Sequence, residues 1–211
     1  MGTEVEIKFR ARTAGPLDEL ATIERLGGAD LGAPRTFEET DRYLDTADAR
    51  LAGARWACRL REREGIHRVS LKGPALESAR SWLHRRPEVE GPATAVAEPG
   101  AWPSSEARDL LDELRGGRPL TEQFRLKQSR TERAVSLGGT RVGTMTLDRV
   151  RVIDEDAVAG ALHVVELELD DPERIGADLV DRLASDLAGR PGLEPEDRTK
   201  LEHALDLLDD R

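Results

Sequence analysis

Acidic and basic side chains that alternate with apolar ones are the residues of this chain whose spacing could do chemistry. Glu4, Glu6 and Lys8 share one parity near the N-terminus, and Glu166 and Glu168 repeat that spacing near the other end. Successive side chains of a strand point to opposite faces, so each set would lie on one face. Grouped carboxylates are the oxygen ligands that hard divalent cations prefer. Taken singly, each pattern is also typical of an antiparallel strand with one face in water.

Basic residues follow the same two-residue spacing in the first half of the chain. The segments 55–63 and 68–72 predict a hairpin in which one parity is basic and the other apolar. The basic parity holds Arg59, Arg61, Arg63, Arg68 and Lys72. In the next strand, 82–90, Arg86 and Glu88 share a parity, and Pro87 indicates an edge or bulged position.

These residues lie on segments that predict an α+β fold of about eight strands, mostly in hairpin order. Strands are expected at 4–9, 34–46, 55–63, 68–72, 82–90, 121–137, 140–153 and 162–169. A helix is expected from Thr13 to Gly28, ended by Gly27 and Gly28, and another after Ser104 or Ser105. Two more are expected at 171–187 and 194–208.

The sixth predicted strand poses a question of register. Leu126 and Val135 have opposite parity, so they can share one face only if a β-bulge lies between Lys127 and Arg133. The sequence predicts such a bulge. Which of Lys127, Arg130 and Arg133 point inward therefore stays open.

The charged faces can be arranged in two ways. In an open sheet they would face water, and the apolar parity would lie under the helices. In a closed barrel with helices outside, the apolar parity would face the helices and the charged parity would line a lumen. Charges shielded from bulk water must be paired or bind ions, so a lumen with acidic and basic residues indicates a polyanion held with divalent cations.

Composition limits the remaining possibilities. The chain has 211 residues, enough for one domain with a substantial core, and its formal net charge of −10 disfavours nonspecific binding to nucleic acid or anionic membrane. The single cysteine, Cys58, excludes an intrachain disulfide and a thiolate metal cluster, and its parity indicates outward packing. No apolar run approaches the roughly 20 residues of a membrane span, and no signal-peptide core is present. A cytoplasmic protein is therefore expected.

A series of short motifs, in order, resembles the CYTH superfamily, the triphosphate tunnel metalloenzymes. Glu4-Val5-Glu6-Ile7-Lys8 matches the ExExK signature of that superfamily. The other matching stretches are Tyr43-Leu44-Asp45-Thr46, Arg59-Leu60-Arg61, Leu71-Lys72, Arg86 to Glu90, Asp148, Glu166-Leu167-Glu168 and Lys200. The stretches Cys58-Arg59-Leu60-Arg61 and His84-Arg85-Arg86-Pro87-Glu88 look most like the inorganic triphosphatase branch.

The resemblance implies a closed eight-stranded antiparallel β-barrel, the triphosphate tunnel, formed by a single domain over residues 1–211 with helices packed outside. The C-terminal helices, about 171–208, would pack on the barrel or plug it. Mg²⁺ or Mn²⁺ is the implied cofactor. The implied metal ligands are Glu4, Glu6, Asp148, Glu166 and Glu168. The implied phosphate-binding residues are Lys8, Arg59, Arg61, Lys72, Arg86, Lys127, Arg130 and Lys200. Direct roles in catalysis are expected for Glu6, Lys8, Glu88 and Lys200.

Three functions remain open for a chain of this kind. The first is metal-dependent hydrolysis of inorganic triphosphate to pyrophosphate and phosphate. It is favoured because the aromatic residues are few, three Trp, three Phe and one Tyr, and Trp56 is expected to point outward. The second is a class IV adenylyl cyclase or thiamine triphosphatase, which would need Trp82 or Tyr43 to hold the organic group. The third is a noncatalytic polyphosphate- or nucleotide-binding module, which the four main carboxylates argue against. The expected partner is a small triphosphate, and the oligomeric state, monomer or homodimer, is open.

Overall fold

The computed structural model describes residues 2–209. Its strands are β1 (Gly2–Ala11), β2 (Arg25–Leu26), β3 (Ala29–Leu31), β4 (Arg35–Thr46), β5 (Ala57–Arg63), β6 (Ile66–Lys72), β7 (Leu83–Pro92), β8 (Leu120–Leu137), β9 (Thr140–Asp154), β10 (Ala157–Leu169) and β11 (Leu193–Pro195). Its helices are α1 (Gly15–Thr22), α2 (Arg50–Gly53), α3 (Glu106–Arg115), α4 (Pro172–Ile175), α5 (Ala177–Ala188) and α6 (Lys200–Asp209). Within this part of the chain, no helix is long and apolar enough to cross a bilayer.

Eight of the described strands close into an antiparallel barrel. The order around the barrel is β8-β4-β5-β6-β7-β1-β10-β9, and β9 pairs back with β8. The β2–β3 hairpin adds to β8 beyond the end of β4, and β11 adds to β1. The predicted α+β fold with a closed eight-stranded barrel is therefore confirmed.

The apolar parity of the strands faces outward, toward the helices. Ile7 and Phe9 of β1 are fully buried in a cluster with Leu17 of α1 and Leu183 of α5. A second cluster packs β5 and β6 against α3 and includes Cys58, whose thiol pKa is raised by burial to about 12. The expected outward packing of Cys58 is thus what the barrel shows, and the charged parity is left to line the interior.

The helix α6 lies against the inner face of the barrel instead. Its apolar residues pack on Leu126 of β8 and on Val150 and Val152 of β9, which share the inward parity of the charged residues on the same strands. The interior is therefore apolar on the side where α6 sits and charged elsewhere. This arrangement brings the first residue of α6, Lys200, into the tunnel.

Two predicted helices are shorter than expected. α1 ends at Thr22, because Gly27 and Gly28 form the turn of the β2–β3 hairpin with φ of 54° and 88°, the positive values that such two-residue turns need. The prediction that these glycines end a helix was wrong. The last helix begins at Lys200, because Leu193–Pro195 pair with β1 as β11. The helix after Ser105 is confirmed: the Ser105 hydroxyl accepts from the backbone N–H of Arg108.

The predicted bulge between Lys127 and Arg133 was also wrong. The register of β8 runs without a break from Phe124 to Glu132 against β4 and from Arg125 to Val135 against β9. Leu126 and Val135 need no shared face, since Leu126 packs inward on α6 and Val135 outward in the first cluster. Arg130 consequently points inward, and Lys127 and Arg133 point outward.

Arg133 holds the β2–β3 hairpin and the end of α1 to the barrel. Its side chain is buried, and its guanidinium donates to the carbonyl oxygens of Gly32 (2.8 Å), Leu20 (2.9 Å) and Ile23 (2.6 Å). Such bonds from a charged donor are among the stronger ones in proteins.

We expect Arg133→Met to lower the free energy of unfolding by about 3 kcal/mol, because four backbone carbonyls, those of Gly32, Leu20, Ile23 and Leu31, lose a charged donor. Urea denaturation measures the change. Lys127→Met is the matched control on the outer face of the same strand and should change stability by less than about 0.5 kcal/mol. Equal effects of the two substitutions would contradict the structural role of Arg133.

Candidate active site

A cavity of about 370 Å³ lies at the end of the barrel where α6 begins. Five of the residues predicted to bind phosphate line it, and they come from β1, β5, β6, β7 and α6. They are Lys8, Arg59, Lys72, Arg86 and Lys200. The barrel therefore brings cations from residues 8 to 200 of the chain around one space.

Lys200 is placed by the capping of α6. The backbone N–H of Thr199 donates to the Glu202 carboxylate (2.7 Å), and the N–H of Glu202 donates back to the Thr199 hydroxyl (3.1 Å). This reciprocal capping box fixes the first turn of the helix. From it, the Lys200 ammonium reaches Asp148 and Glu166, each at 2.6 Å.

Lys8 and Glu166 form the centre of the inner charge network. The Lys8 ammonium lies 2.9 Å from Glu6 and 3.4 Å from Glu166, and Lys8 is 1% exposed. Burial alone would raise the pKa of Glu166, but Lys200, Lys8 and Arg130 hold it well below its usual value. Glu166 is therefore ionised at neutral pH, and the carboxylates of Glu6 and Glu166 raise the pKa of the Lys8 ammonium beside it against the effect of burial.

Of the five predicted phosphate-binding residues that line the cavity, Arg59 has the weakest internal pairing. Its guanidinium comes no closer than 3.8 Å to Asp41 and 3.8 Å to Glu90. Within residues 2–209, its buried Nε atom has no hydrogen-bond partner. A buried guanidinium with an unused donor is suited to bind an anion in the cavity.

Arg61 and Arg130 differ from Arg59, because both are already paired. Arg61 donates to both oxygens of Asp41 at 2.6 and 2.7 Å. Arg130 donates in the same way to Asp148 at 2.8 and 2.7 Å. Burial would raise the pKa of Asp41, but Arg61 and Arg59 hold it below its usual value. Neither Arg61 nor Arg130 lines the cavity, so the geometry departs from the phosphate-binding role predicted for them.

Lys127, the eighth predicted phosphate-binding residue, lies outside the tunnel altogether. It lines a separate outer groove of about 190 Å³ together with Arg149, Arg151 and His163. The unbroken register of β8 is the reason, since Lys127 has the parity opposite to Arg130. The prediction that Lys127 binds the substrate is corrected by this placement.

The predicted metal ligands separate into two groups. Asp148 and Glu166 hold the Lys200 ammonium. Glu4 lies 2.6 Å from Lys72 and 2.8 Å from Arg86, and Glu6 lies directly opposite Glu168 in the β1–β10 register. Glu88, predicted to be catalytic, accepts from the Ser70 hydroxyl (2.6 Å) and lies 3.2 Å from Lys72.

Glu168 carries the least compensated negative charge of the tunnel. Partial burial and the carboxylates of Glu4, Glu88 and Glu6 raise its pKa to about 6. No three potential ligands in the described chain already converge as the coordination sphere of one ion. Glu4, Glu6 and Glu168 nevertheless fit a hard divalent cation in kind, because they supply carboxylate oxygens whose mutual repulsion a cation would relieve.

Several residues at the site were missed by the sequence patterns. Glu39 and Asp41 supply the inner counter-charges of β4, and their shared parity with Tyr43 was the available signal. Tyr43 lines the cavity. Trp56 packs against the outer cluster of β5, β6 and α3, in keeping with its expected outward direction, and also lines the cavity.

Trp82 and His84 can also be placed. Trp82 packs against the outer core under the guanidinium of Arg80, so it is no longer a candidate for holding an organic group in the cavity. His84 lines the cavity and donates through Nε2 to the carbonyl oxygen of Glu196 (2.6 Å). Burial and the nearby Lys8 lower the pKa of His84.

Comparison with known proteins places this chain among barrels of one type. The sequence profile of the CYTH domain matches residues 2–200. None of the curated proteins matches the sequence significantly. Among solved structures, HpAC1 from Hippeastrum, an adenylyl cyclase candidate described as having a dominant triphosphatase activity, aligns at 18% identity and a TM-score of 0.63 over 96% of this chain and 95% of that one.

Two microbial structures are similar in the same way. An adenylate cyclase candidate from Bacillus halodurans aligns at 21% identity and a TM-score of 0.57, over 96% of this chain and 98% of that one. The PH1819 protein of Pyrococcus horikoshii OT3 aligns at 20% identity and a TM-score of 0.54, over 98% and 99%. At these identities the similarity establishes the fold alone.

The raised pKa of Glu168 predicts an unusual pH dependence of stability. The ordinary pKa of a glutamate is 4.5, and that of folded Glu168 is about 6. At a pH between these two values, Glu168 is protonated more often in the folded protein than in the unfolded one. Its contribution to stability therefore falls as pH rises through this window. In the presence of a chelator, Glu168→Gln should raise the free energy of unfolding at pH 7.5 and change it little at pH 4.5. Because the carboxylate is partly open to solvent, the direction of the change is the test.

Glu4→Gln is the matched control with the opposite sign. Burial would raise the pKa of Glu4, but Lys72 and Arg86 lower it overall. Ionised Glu4 thus stabilises the fold above pH 4.5, and its replacement should lower the free energy of unfolding at pH 7.5. Urea denaturation across this pH range checks both. Loss of stability in Glu168→Gln at pH 7.5 would contradict the assignment.

Proposed function

This chain belongs to the CYTH domain family, and from that premise we propose that it is a divalent-metal-dependent hydrolase of triphosphate compounds. Inorganic triphosphate, cleaved to pyrophosphate and phosphate, is the substrate we favour. The observation that carries the proposal is that five of the predicted phosphate-binding residues line one cavity, and that one of them, Arg59, keeps an unused donor. The triphosphatase activity described for HpAC1, a protein of similar fold, is consistent with it.

The cations of the cavity have roles that follow from their chemistry. Arg59 and Arg86 present planar guanidinium forks, which match two phosphate oxygens at once. Lys8, Lys72 and Lys200 supply ammonium groups that neutralise the remaining charge. Each lysine already lies beside a carboxylate, so a bound polyanion would share these cations with Glu4, Glu6 and Glu166. Substrate binding would therefore loosen the inner ion pairs and leave carboxylates in need of a new counter-charge.

Glu4, Glu6 and Glu168 would hold Mg²⁺ or Mn²⁺ for this reason. A divalent cation bound there supplies charge neutralisation at the phosphate oxygens and lowers the pKa of a coordinated water. With a cation bound, Glu168 would serve as an ionised ligand, because the cation would offset the repulsion from Glu4 and Glu6 that helps to raise its pKa in the metal-free protein. Glu88, which accepts a hydrogen bond from Ser70, is a further carboxylate close to these three. In-line attack on the terminal phosphorus needs these groups on the side opposite the leaving pyrophosphate.

An organic triphosphate is the second candidate. Trp56 and Tyr43 both line the cavity, and the indole ring of Trp56 packs against Gly73 at its edge. Aromatic faces at the mouth of a cationic cavity could hold a heterocycle while the phosphates lie deeper. A noncatalytic binding module would use the same cations without turnover.

A phosphate-release panel separates these functions. We expect release from inorganic triphosphate with Mg²⁺ or Mn²⁺ to exceed release from ATP, thiamine triphosphate or pyrophosphate by at least about 10-fold in kcat/KM. Glu6→Gln should lower kcat by about 100-fold or more without changing circular dichroism. Formation of cyclic AMP from ATP, a preference for an organic triphosphate, or tight binding without turnover would each reject the favoured substrate.

Arg59 and Arg61 provide a matched test of the cavity. Arg59→Ala should raise KM by about 10- to 100-fold with little loss of stability, because its donor is unused in the ligand-free protein. Arg61→Ala should instead lower the free energy of unfolding by about 3 kcal/mol, because it removes both short charged hydrogen bonds of the buried Asp41 carboxylate and leaves it only longer contacts. Steady-state kinetics and urea denaturation of both variants measure the contrast. The assignment fails if Arg61→Ala is stable and shows the larger change in KM.

A further inference from the structure

Of the five predicted phosphate-binding residues that line the cavity, Lys200 is the one that does not lie on a strand of the barrel. It is the first residue of α6, whose apolar face packs on the inner side of β8 and β9. The segment from Glu196 to Thr199 joins this helix to β11 on the outer edge of β1. The direction of the Lys200 side chain therefore depends on how that short segment is held.

Glu196 bonds this segment to the cavity walls through its backbone. Its N–H donates to the carbonyl oxygen of Lys8 on β1 (3.1 Å). Its carbonyl oxygen accepts from Nε2 of His84 on β7 (2.6 Å). Lys8 and His84 both line the cavity, so the backbone of Glu196 is bonded to two of its walls.

The side chain of Glu196 bonds to the third element. Its carboxylate accepts from Nε2 of His203 in α6 (2.7 Å) and from the backbone N–H of Arg198 (2.9 Å), and the residue is 4% exposed. Arg10 is the nearest other cation, at 3.6 Å. A buried carboxylate is stable only with such partners, so breaking these bonds is unfavourable. One residue thus ties β1, β7 and α6 together.

We propose that Glu196 is a positioning residue that sets the place of the Lys200 ammonium in the cavity. Its carboxylate holds α6 through His203, and its backbone fixes that helix relative to Lys8 and His84. Without the carboxylate, α6 keeps its apolar contacts and its capping box but loses its bond through His203 to the segment fixed at Lys8 and His84, so that the helix shifts and Lys200 moves away from Asp148 and Glu166. The consequence for phosphate binding rests on the proposed function; the position of Lys200 does not.

The test of position uses no substrate. The chain has four lysines, and they differ in burial: Lys127 is exposed, whereas Lys8 and Lys200 are buried. Brief acetylation followed by mass spectrometry of the peptides reports the reactivity of each. In Glu196→Ala, Lys200 should react at least about 10-fold faster than in the wild type, while Lys8 and Lys127 are unchanged. Glu196→Gln, which keeps an acceptor for His203, should lie between the two.

Two results would overturn the proposal. One is a Lys200 that stays protected in Glu196→Ala. The other is a rise at both Lys8 and Lys200, because that would report a general loosening of the barrel. Glu194→Ala is the matched control: this carboxylate lies two residues away, is 39% exposed and pairs only with Arg10 and Arg12 among the described residues. It should leave Lys200 protected.

A double-mutant cycle tests the functional consequence. Binding of inorganic triphosphate, measured by calorimetry, should weaken by about 10-fold in Glu196→Ala, because a displaced cation contributes less. In a Lys200→Met background the same substitution should change binding by less than about 2-fold, because its effect passes through Lys200. An equal loss in both backgrounds would contradict that route. If the wild type binds no triphosphate, the proposed function fails, and the acetylation result still decides the role of Glu196.

Discussion

Charge buried inside the barrel has to be compensated inside the barrel, and this requirement governs its inner face. Asp148 is 0% exposed, and Asp41 and Lys8 are each 1% exposed, yet every one of them lies within 3 Å of an opposite charge. Removing an ion from water without such a partner costs several kcal/mol, a large share of the stability of a domain. The strands are therefore held together by ion pairs across the lumen as well as by their backbone ladders.

Compensation is incomplete in two places, and they have opposite signs. Arg59 lies 3.8 Å from its nearest carboxylates and keeps a buried Nε without a partner in the described chain. Glu168 is surrounded by other carboxylates, which help to raise its pKa to about 6. A deficit of negative charge near Arg59 and an excess near Glu168 are complementary to an anion and a cation, respectively. These two uncompensated charges of opposite sign within one tunnel are the physical basis of the proposed metal-assisted hydrolysis of a triphosphate.

The apolar part of the interior has a separate purpose. Leu126, Val150 and Val152 interrupt the charged parity of β8 and β9 and form a surface on which α6 packs. From this position, α6 brings Lys200 to Asp148 and Glu166. Basic residues of the strands pair with the same two carboxylates from other directions. The cavity is thus the part of the barrel end that α6 leaves open. Its shape depends on how α6 is held as much as on the strands.

The sequence by itself determined the eight strands of the barrel and their charged and apolar parities, because side chains alternate between the two faces of a strand. The ordered motifs determined the family. From these patterns the barrel, the inward Glu6 and Lys8 and the outward Cys58 could be predicted. The weaker pairing of Arg59 could not be predicted, since Arg59 and Arg61 have the same local pattern. They differ through β4, where Asp41 and Glu39 pair closely with Arg61. Lys127 and Arg130 were likewise separated by the unbroken register of β8. Tertiary structure decided these points because the pairing of a buried charge depends on residues brought beside it from distant strands.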